Sequence, residues 1–451
     1  MKIDEAIVAA DLKEKLARFW ELSGQKIQAI ESDYDTGQGA PVFTVNGKYT
    51  ARGWTEWTQG FQYGSAILQF DATGDTTALE NGRRNTLERM APHVTHFGVH
   101  DHGFNNVSTY GNLWRLMNEG RLPENAWERA FYELAIKSSG AVQARRWTEL
   151  PEGLGYVYSF NGPHSLFADT IRSMRALALS HQLGHAYCGE NDVQLSLMER
   201  LVKHVATTAR YIIYYGEGRD TYDICGRAAH EAIFNLNDGA FRCPSSQQGY
   251  SPFSTWTRGH AWVMLGFAEQ LEFLDTLPDD TPLPCGGRAA VRAMMLKAAT
   301  ATCDFYIAQT PLDGIVYWDT GAPGLARMGD YLERPAEPFN AHEPVDSSAS
   351  AIAAQGLLRL GHLLGEQDGG RYTQAGLTVL ARLLDEPYLS TDSAHQGLLL
   401  HSIYHRPNGW DHIPEGQTIP CGESSMWGDY HIREAALLAG RIGEGTYYRF
   451  F

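Results

Sequence analysis

The stretch Ser254-Thr255-Trp256-Thr257-Arg258-Gly259-His260-Ala261-Trp262 opens a helical run, apolar on nearly every side, that continues to Phe273. Ser254 or Thr255 supplies the side-chain oxygen a helix N-cap needs, because such an oxygen accepts a backbone N–H left without an intrahelical partner. Trp256 then falls in the first turn, and Arg258 and Trp262, four apart, share one face. Gly259 between them permits close approach of a second backbone or a ligand. Beyond Trp262 the run is apolar nearly all round, which marks a helix buried on every side.

Helices of this kind recur over residues 105–117, 167–184, 347–364 and 425–440. Charged amphipathic helices lie between them, over 126–143, 194–215, 289–309 and 372–384. In 194–215 the apolar positions Leu197, Leu201, Val205, Ala209 and Ile212 follow the helical period. Upstream, 3–20 reads as amphipathic, 60–70 as buried and 77–91 as more exposed, with a Gly/Pro linker at 35–41. Strand-like alternation is confined to short pieces such as 155–158 and 315–318. About a dozen helices in hairpins predict an all-α fold, an (α/α)6 barrel. No linker is long or polar enough to split the chain, so one domain over 1–451 is expected.

Composition narrows the function. Of 451 residues, 43% are hydrophobic and 20% charged, the balance of a globular protein with a large core. The formal charge of 37 − 53 = −16 argues against nucleic acid or an anionic membrane as partner. Aromatic residues make up 11%, with 11 Trp and 22 Tyr, which suits a sugar-binding cleft as well as a large core. Acidic residues stand near the N-terminus where a signal peptide needs an apolar run, and no uninterrupted apolar stretch reaches membrane-spanning length. The six cysteines are scattered without a CxxC pair, so free thiols in the cytoplasm are expected. The number of subunits is left open.

In such a barrel, long loops at one end of the inner helices form the cleft, and catalytic groups belong at those helix starts. Two carboxylates meet this test. Asp101 stands in Val99-His100-Asp101-His102-Gly103-Phe104, and Asp169 at the start of the 167–184 helix. The helix dipole favours their anions and burial opposes it, a conflict suited to proton transfer. A lone Asp at a helix start is more often a simple N-cap, so that alternative stays open. His93, His96, His100 and His102 invite a zinc reading, but no HExxH or Cys-His pattern accompanies them, so no metal or cofactor is expected. His230 is either a satisfied core histidine or a donor to a sugar hydroxyl. Gln248 precedes the Trp/Arg stretch and can both donate and accept. Trp256, Trp262 and Arg258 offer an apolar wall beside a planar cation. Asp346-Ser347-Ser348-Ala349 begins a capped, small-residue helix. Ser424 and Ser425 open the last inner helix before Trp427-Gly428-Asp429-Tyr430 and could present hydroxyls to the cleft.

Together these motifs resemble glycoside hydrolase family 88, the unsaturated glucuronyl hydrolases. The matching words are His100-Asp101-His102-Gly103-Phe104, the helix around Asp169, Gln248-Gly249-Tyr250, Ser254 to Trp262, Asp346 to Ala354, and Trp427-Gly428-Asp429-Tyr430, in the family's order. Residues 31–51 and 277–288 look like insertions. The resemblance implies an (α/α)6 barrel acting on oligosaccharides that carry a 4,5-unsaturated uronic acid at the non-reducing end. It implies Asp169 as acid/base, Asp101 as the group orienting the ring and tuning Asp169, and Trp57, His230, Gln248, Trp256, Arg258 and Trp262 lining the sugar site. Ser424 or Ser425 would reach the substrate carboxylate. Rival readings are an unsaturated rhamnogalacturonyl hydrolase, an inverting glycosidase on saturated sugars, and a non-catalytic sugar-binding toroid.

Overall fold

The structure, a computed structural model, describes residues 1–53 and 56–451. Its helices alternate between two layers. The inner layer comprises Gln59–Thr73, the turns between His102 and Asn118, those between Thr170 and Gln182, Thr257–Thr276, the first half of Ser347–Leu383, and Met426–Gly443. Each is preceded by an outer helix: Lys13–Asp33, Thr76–Arg89, Ala126–Arg145, Leu197–Tyr211, Gly287–Ala308 and the second half of Ser347–Leu383. Inner helices pack on one another in chain order, and the last packs on the first. The ring therefore closes as the expected all-α, (α/α)6 toroid. Sheet is limited to three two-stranded ribbons and one three-stranded sheet among the described residues.

Two glycines show how the ring is drawn tight. A Cβ on Gly103 would lie 2.5 Å from the Ser173 backbone, so only hydrogen lets these inner helices touch. Gly365, at φ 73° and ψ 177°, breaks Ser347–Leu383 and turns an inner helix into an outer one without a loop.

The ring's interior carries charge as well as hydrocarbon. Arg172, Arg175, Glu269 and Glu434 are all buried. Arg172 bonds Glu269 at 2.9 Å and Glu434 at 2.8 Å, and Tyr430 and Tyr448 donate to the other Glu434 oxygen at 3.0 and 3.1 Å. Such charges are tolerated only because each is paired.

Several boundaries differ from the sequence reading. The first helix starts at Lys13 and reaches Asp33, because its buried face of Leu16, Phe19, Trp20, Ser23, Lys26 and Ile30 continues past Trp20. The 167–184 helix begins as a strand, Ser165–Phe167, turns helical at Thr170 and is interrupted at Met174. The 105–117 helix contains a π-turn, Val107–Gly111. Residues 194–195 are strand, and 315–318 forms only the isolated bridge Tyr317↔Val345. The 31–51 segment ends in a hairpin, Phe43–Val45 with Lys48–Thr50. Among the described residues no helix is long and apolar enough to cross a membrane, and all six cysteines are unpaired, Cys303 and Cys421 being buried.

Candidate active site

Asp101 and Asp169 occupy the N-cap positions of His102–Asn106 and Thr170–Ser173, yet neither side chain caps its helix. Asp346 does the opposite, accepting from the Ser348 and Ala349 N–H groups. Capping therefore does not account for Asp101 and Asp169.

What these two carboxylates face instead is each other and His100. One donor atom from each of the three lies within 4.8 Å of the others. His100 Nε2 is 3.4 Å from Asp169 Oδ2 and 3.9 Å from Asp101 Oδ1. This trio is the one group among the described residues placed closely enough to hold a metal ion. The clustered histidines do not converge: His102 is committed to Ser139 Oγ and the His96 carbonyl, and His93 lies 3.3 Å from the Asn105 amide.

Burial and the three mutual charges set the protonation. Burial disfavours the His100 imidazolium, but Asp101 and Asp169 outweigh it and raise its pKa. Burial raises Asp101, His100 opposes, and the charge of Asp169 adds to the rise. Burial also pushes Asp169 upward, yet the charge and hydrogen bond of His100 overcome it and hold the carboxyl below its usual range. Of the two carboxyls, Asp101 therefore holds a proton more readily than Asp169, and His100 more readily than an ordinary imidazole.

The trio opens into a cavity of about 140 Å³, some ten times what one water requires. Its walls are aromatic: Trp57, Phe104, Phe160, Phe167, Trp256, Trp262, Tyr404 and Trp410. Trp57 stacks on Trp427 at 5.1 Å, and Trp262 packs on Phe104 at 4.8 Å. The three-stranded sheet Ser165–Phe167, Glu231–Phe234 and Phe241–Ser245 joins one wall to the acid, because its register sets Phe167 opposite Glu231. It places the Ala168 N–H on the His230 carbonyl and brings in Gln247 and Gln248.

The sequence-predicted lining residues divide. Trp57, Gln248, Trp256, Arg258 and Trp262 line the cavity. His230 stands behind the wall, its ring 4.6 Å from Phe167 and 4.5 Å from Trp256. Its Nδ1 accepts from the Gln247 and Gln248 N–H groups at 2.9 and 3.3 Å. That fixes the proton of the neutral ring on Nε2, and burial lowers the pKa to about 4. Arg258 is at the wall, but its terminal N–H groups are engaged by Asp346 at 3.0 Å, Gln248 Oε1 at 2.8 Å and the carbonyls of Ile403 and Tyr404. With its oxygen turned to Arg258, the Gln248 amide has its NH₂ left to donate. Ser424 and Ser425 do not line the cavity. Ser424 Oγ donates to Asp429 at 2.7 Å, and Ser425 caps Met426–Gly443 through the Gly428 N–H. Both hydroxyls serve the closing helix.

Sequence reasoning missed His100, which it weighed only for zinc, and the wall Tyr404, His405, Asn408 and Trp410. Asp411 shapes that wall by accepting from the Tyr404 and His405 N–H groups, and burial pushes its carboxyl up to about 6. The signal in the sequence was the turn Arg406-Pro407-Asn408-Gly409 set among aromatics.

No family model matches this chain. Among curated proteins, it is 26% identical to an unsaturated glucuronyl hydrolase of Bacillus sp. (strain GL1) over 89% of its length and 90% of the relative's. It is 25% identical to an unsaturated chondroitin disaccharide hydrolase of Streptococcus pyogenes serotype M1, over 90% of its length and 87% of the relative's. The fold matches the crystal structure of the Bacillus sp. GL1 unsaturated glucuronyl hydrolase with a TM-score of 0.69 at 22% identity, covering 96% of this chain and 99% of that one. It also matches the Streptococcus agalactiae unsaturated glucuronyl hydrolase with a TM-score of 0.70 at 20% identity, covering 97% and 94%.

Proposed function

We propose that this chain, similar over nearly its whole length to unsaturated glucuronyl hydrolases, is a single-domain hydrolase of that kind. Its substrates are small oligosaccharides with a 4,5-unsaturated uronic acid at the non-reducing end. The observation that carries the reading is the convergence of two non-capping aspartates and His100 in one aromatic-walled cavity. Aromatic faces suit the apolar face of a sugar ring.

The proposed chemistry is hydration of the ring's vinyl ether. Asp169 gives a proton to C4, and the oxocarbenium-like cation that forms at C5 is stabilised by the nearby carboxylates. A water adds at C5 and returns its proton to Asp169. The C5 hemiketal opens, and C1, now a hemiacetal carbon, expels the neighbouring sugar, leaving an open-chain keto acid. No second carboxyl acting on the leaving group is required, unlike in inverting glycosidases, whose two carboxyls stand ~6.5–9.5 Å apart.

Asp169 is the more acidic of the two carboxyls in the free site, so bound substrate has to raise it for it to serve as the acid. The substrate's carboxylate is a further negative charge beside the pair, and a like charge raises a carboxyl pKa. Binding thus raises both carboxyls and favours protonation of Asp169. His100 opposes that rise and tunes it. In His100→Gln the cation is gone, so the carboxyl pair titrates higher and the alkaline limb of the kcat/KM profile moves to higher pH, with kcat reduced. A pH–rate series checks this, and an unmoved limb removes His100 from the proton balance.

Arg258 acts by holding others. Arg258→Ala frees Gln248, unties Ile403 and Tyr404 from the wall, and leaves Asp346 buried without its cation. KM rises, and stability falls by about 3–5 kcal/mol. Arg258→Lys does not rescue, since an ammonium lacks the planar fork. Steady-state kinetics with denaturant melts test both parts.

The reading is tested by incubating the protein with unsaturated disaccharides made by several lyases. Loss of the C=C absorbance and two products whose masses together equal the disaccharide plus one water are expected. A preference for substrates with rhamnose next to the uronate favours the rhamnogalacturonyl alternative. Hydrolysis of a saturated aryl glucuronide at a comparable rate overturns the mechanism.

A further inference from the structure

Three lining residues of the catalytic cavity, Phe160, Gln247 and Asn408, are exposed and mark its rim. His100 and Asp101 are buried at its depth. A uronate ring seated on the trio therefore leaves the rim to the sugar next to it.

Gln247 is held from two sides by consecutive residues. Its backbone N–H donates to His230 Nδ1 at 2.9 Å, and its side-chain Nε2 donates to Glu231 Oε2 at 3.1 Å. Glu231 is 0% exposed. Its other oxygen accepts from Asn161 Nδ2 at 3.1 Å and from the Ser165 hydroxyl. Asn161 follows Phe160, so this one carboxylate ties together the two segments that carry Phe160 and Gln247 to the rim.

A carboxylate only accepts, so it draws the NH₂ end of each amide toward itself. In Gln247 that leaves Oε1 as the polar atom for the rim, and among the described residues no donor bonds it. Gln248 is turned the other way, with its Oε1 accepting from Arg258 at 2.8 Å and its NH₂ left over. Two successive amides thus offer an acceptor and a donor. Hydroxyls, which both donate and accept, suit the pair, whereas an ether or ester oxygen has nothing to give Gln247.

We propose that Gln247 is a substrate-binding residue, accepting from a hydroxyl of the sugar next to the unsaturated uronate, and that Glu231 is the positioning residue that aims its oxygen. This rests on the reading of the cavity as the site of an unsaturated disaccharide. An amide at position 231 could not replace the carboxylate, because it has one oxygen for three donors. With that oxygen kept on Asn161 and Ser165, its NH₂ faces Gln247, which turns over and presents NH₂ to the rim.

The test is a cycle of Gln247→Ala, Glu231→Gln and the double variant on an unsaturated disaccharide. Gln247→Ala alters an exposed side chain and is expected to raise KM about fivefold, the worth of one net hydrogen bond, with kcat kept. Glu231→Gln raises KM by a similar factor, and in the Gln247→Ala background it adds no further rise. A lower Tm with KM increments that multiply would make Glu231 merely structural and overturn its part. A crystal structure of Asp169→Asn with the same disaccharide should place a hydroxyl of the second sugar within about 3.2 Å of Gln247 Oε1. Should Glu231→Gln fail to fold, Gln247→Ala and that crystal structure decide the outcome. Unchanged KM in Gln247→Ala, or no hydroxyl at that oxygen, overturns the proposal and leaves the hydrolase reading standing. Wild-type inactivity toward every unsaturated disaccharide overturns both.

Discussion

Asp169→Asn is expected to lose turnover by a factor of about 10³ or more while still binding the unsaturated disaccharide. An amide of the same shape cannot deliver a proton to carbon at C4, and positioned proton transfer contributes ~10²–10⁴ in rate. Binding survives because the aromatic walls and Gln248 are untouched. Removing one anion from the cavity also relieves repulsion of the substrate's carboxylate, so Kd stays level or falls. The 3.4 Å contact from His100 loses its charge, and Asp101, freed of the like charge that raises it, titrates lower. Asp101→Asn, by contrast, keeps the acid in place and costs less in kcat. Single-turnover kinetics with calorimetric binding separates the two variants. Near-normal turnover in Asp169→Asn, or equal losses in both variants, would require a different proton donor.

Removing the Glu434 carboxylate gives the largest expected loss of stability. Glu434→Ala leaves Arg172 and Arg175 at the ring's centre facing only Glu269, and strips Tyr430 and Tyr448 of their acceptor. Breaking a buried pair from one side costs about 3–5 kcal/mol, because the remaining charge stays out of water without compensation. The effect reaches the cavity floor. Arg172 Nη1 lies 3.3 Å from His431 Nε2, and the His431 ring packs on Trp262 at 4.7 Å. The pH dependence has a definite sign. Burial raises the Glu434 pKa, but Arg172 and Arg175 prevail and depress it far below the usual carboxylate range. A carboxyl depressed on folding stabilises above its unfolded pKa and loses that contribution as pH falls through the folded value. The gap between wild type and Glu434→Gln is therefore full at neutral pH and begins to narrow only below about pH 4.3, where the unfolded carboxyl protonates. Urea midpoints across pH measure it. A gap below 1 kcal/mol at pH 7 would mean that water replaces the pairing.

Much of this molecule was legible in one dimension. A helix that is apolar all round has nowhere to lie except between other helices, and its alternation with one-sided helices admits few arrangements other than a ring of hairpins. Asp101 and Asp169 stood out for the same local reason, each being a carboxylate at the mouth of a buried helix. Trp256, Arg258 and Trp262 were visible because helical spacing places them together without outside help.

What folding alone decided is how each polar group is used. Nothing near Arg258 announces that its fork is filled by carbonyls 145 and 146 residues away. Nothing near Ser424 and Ser425 shows that one hydroxyl belongs to Asp429 and the other to a helix cap. His100 looked like one of four clustered histidines until the ring closed around it. Periodicity records which side of a helix is buried, since burial is a property of the face. A hydrogen bond is a property of two partners, and when they lie far apart in the chain only the closed barrel brings them within 3 Å.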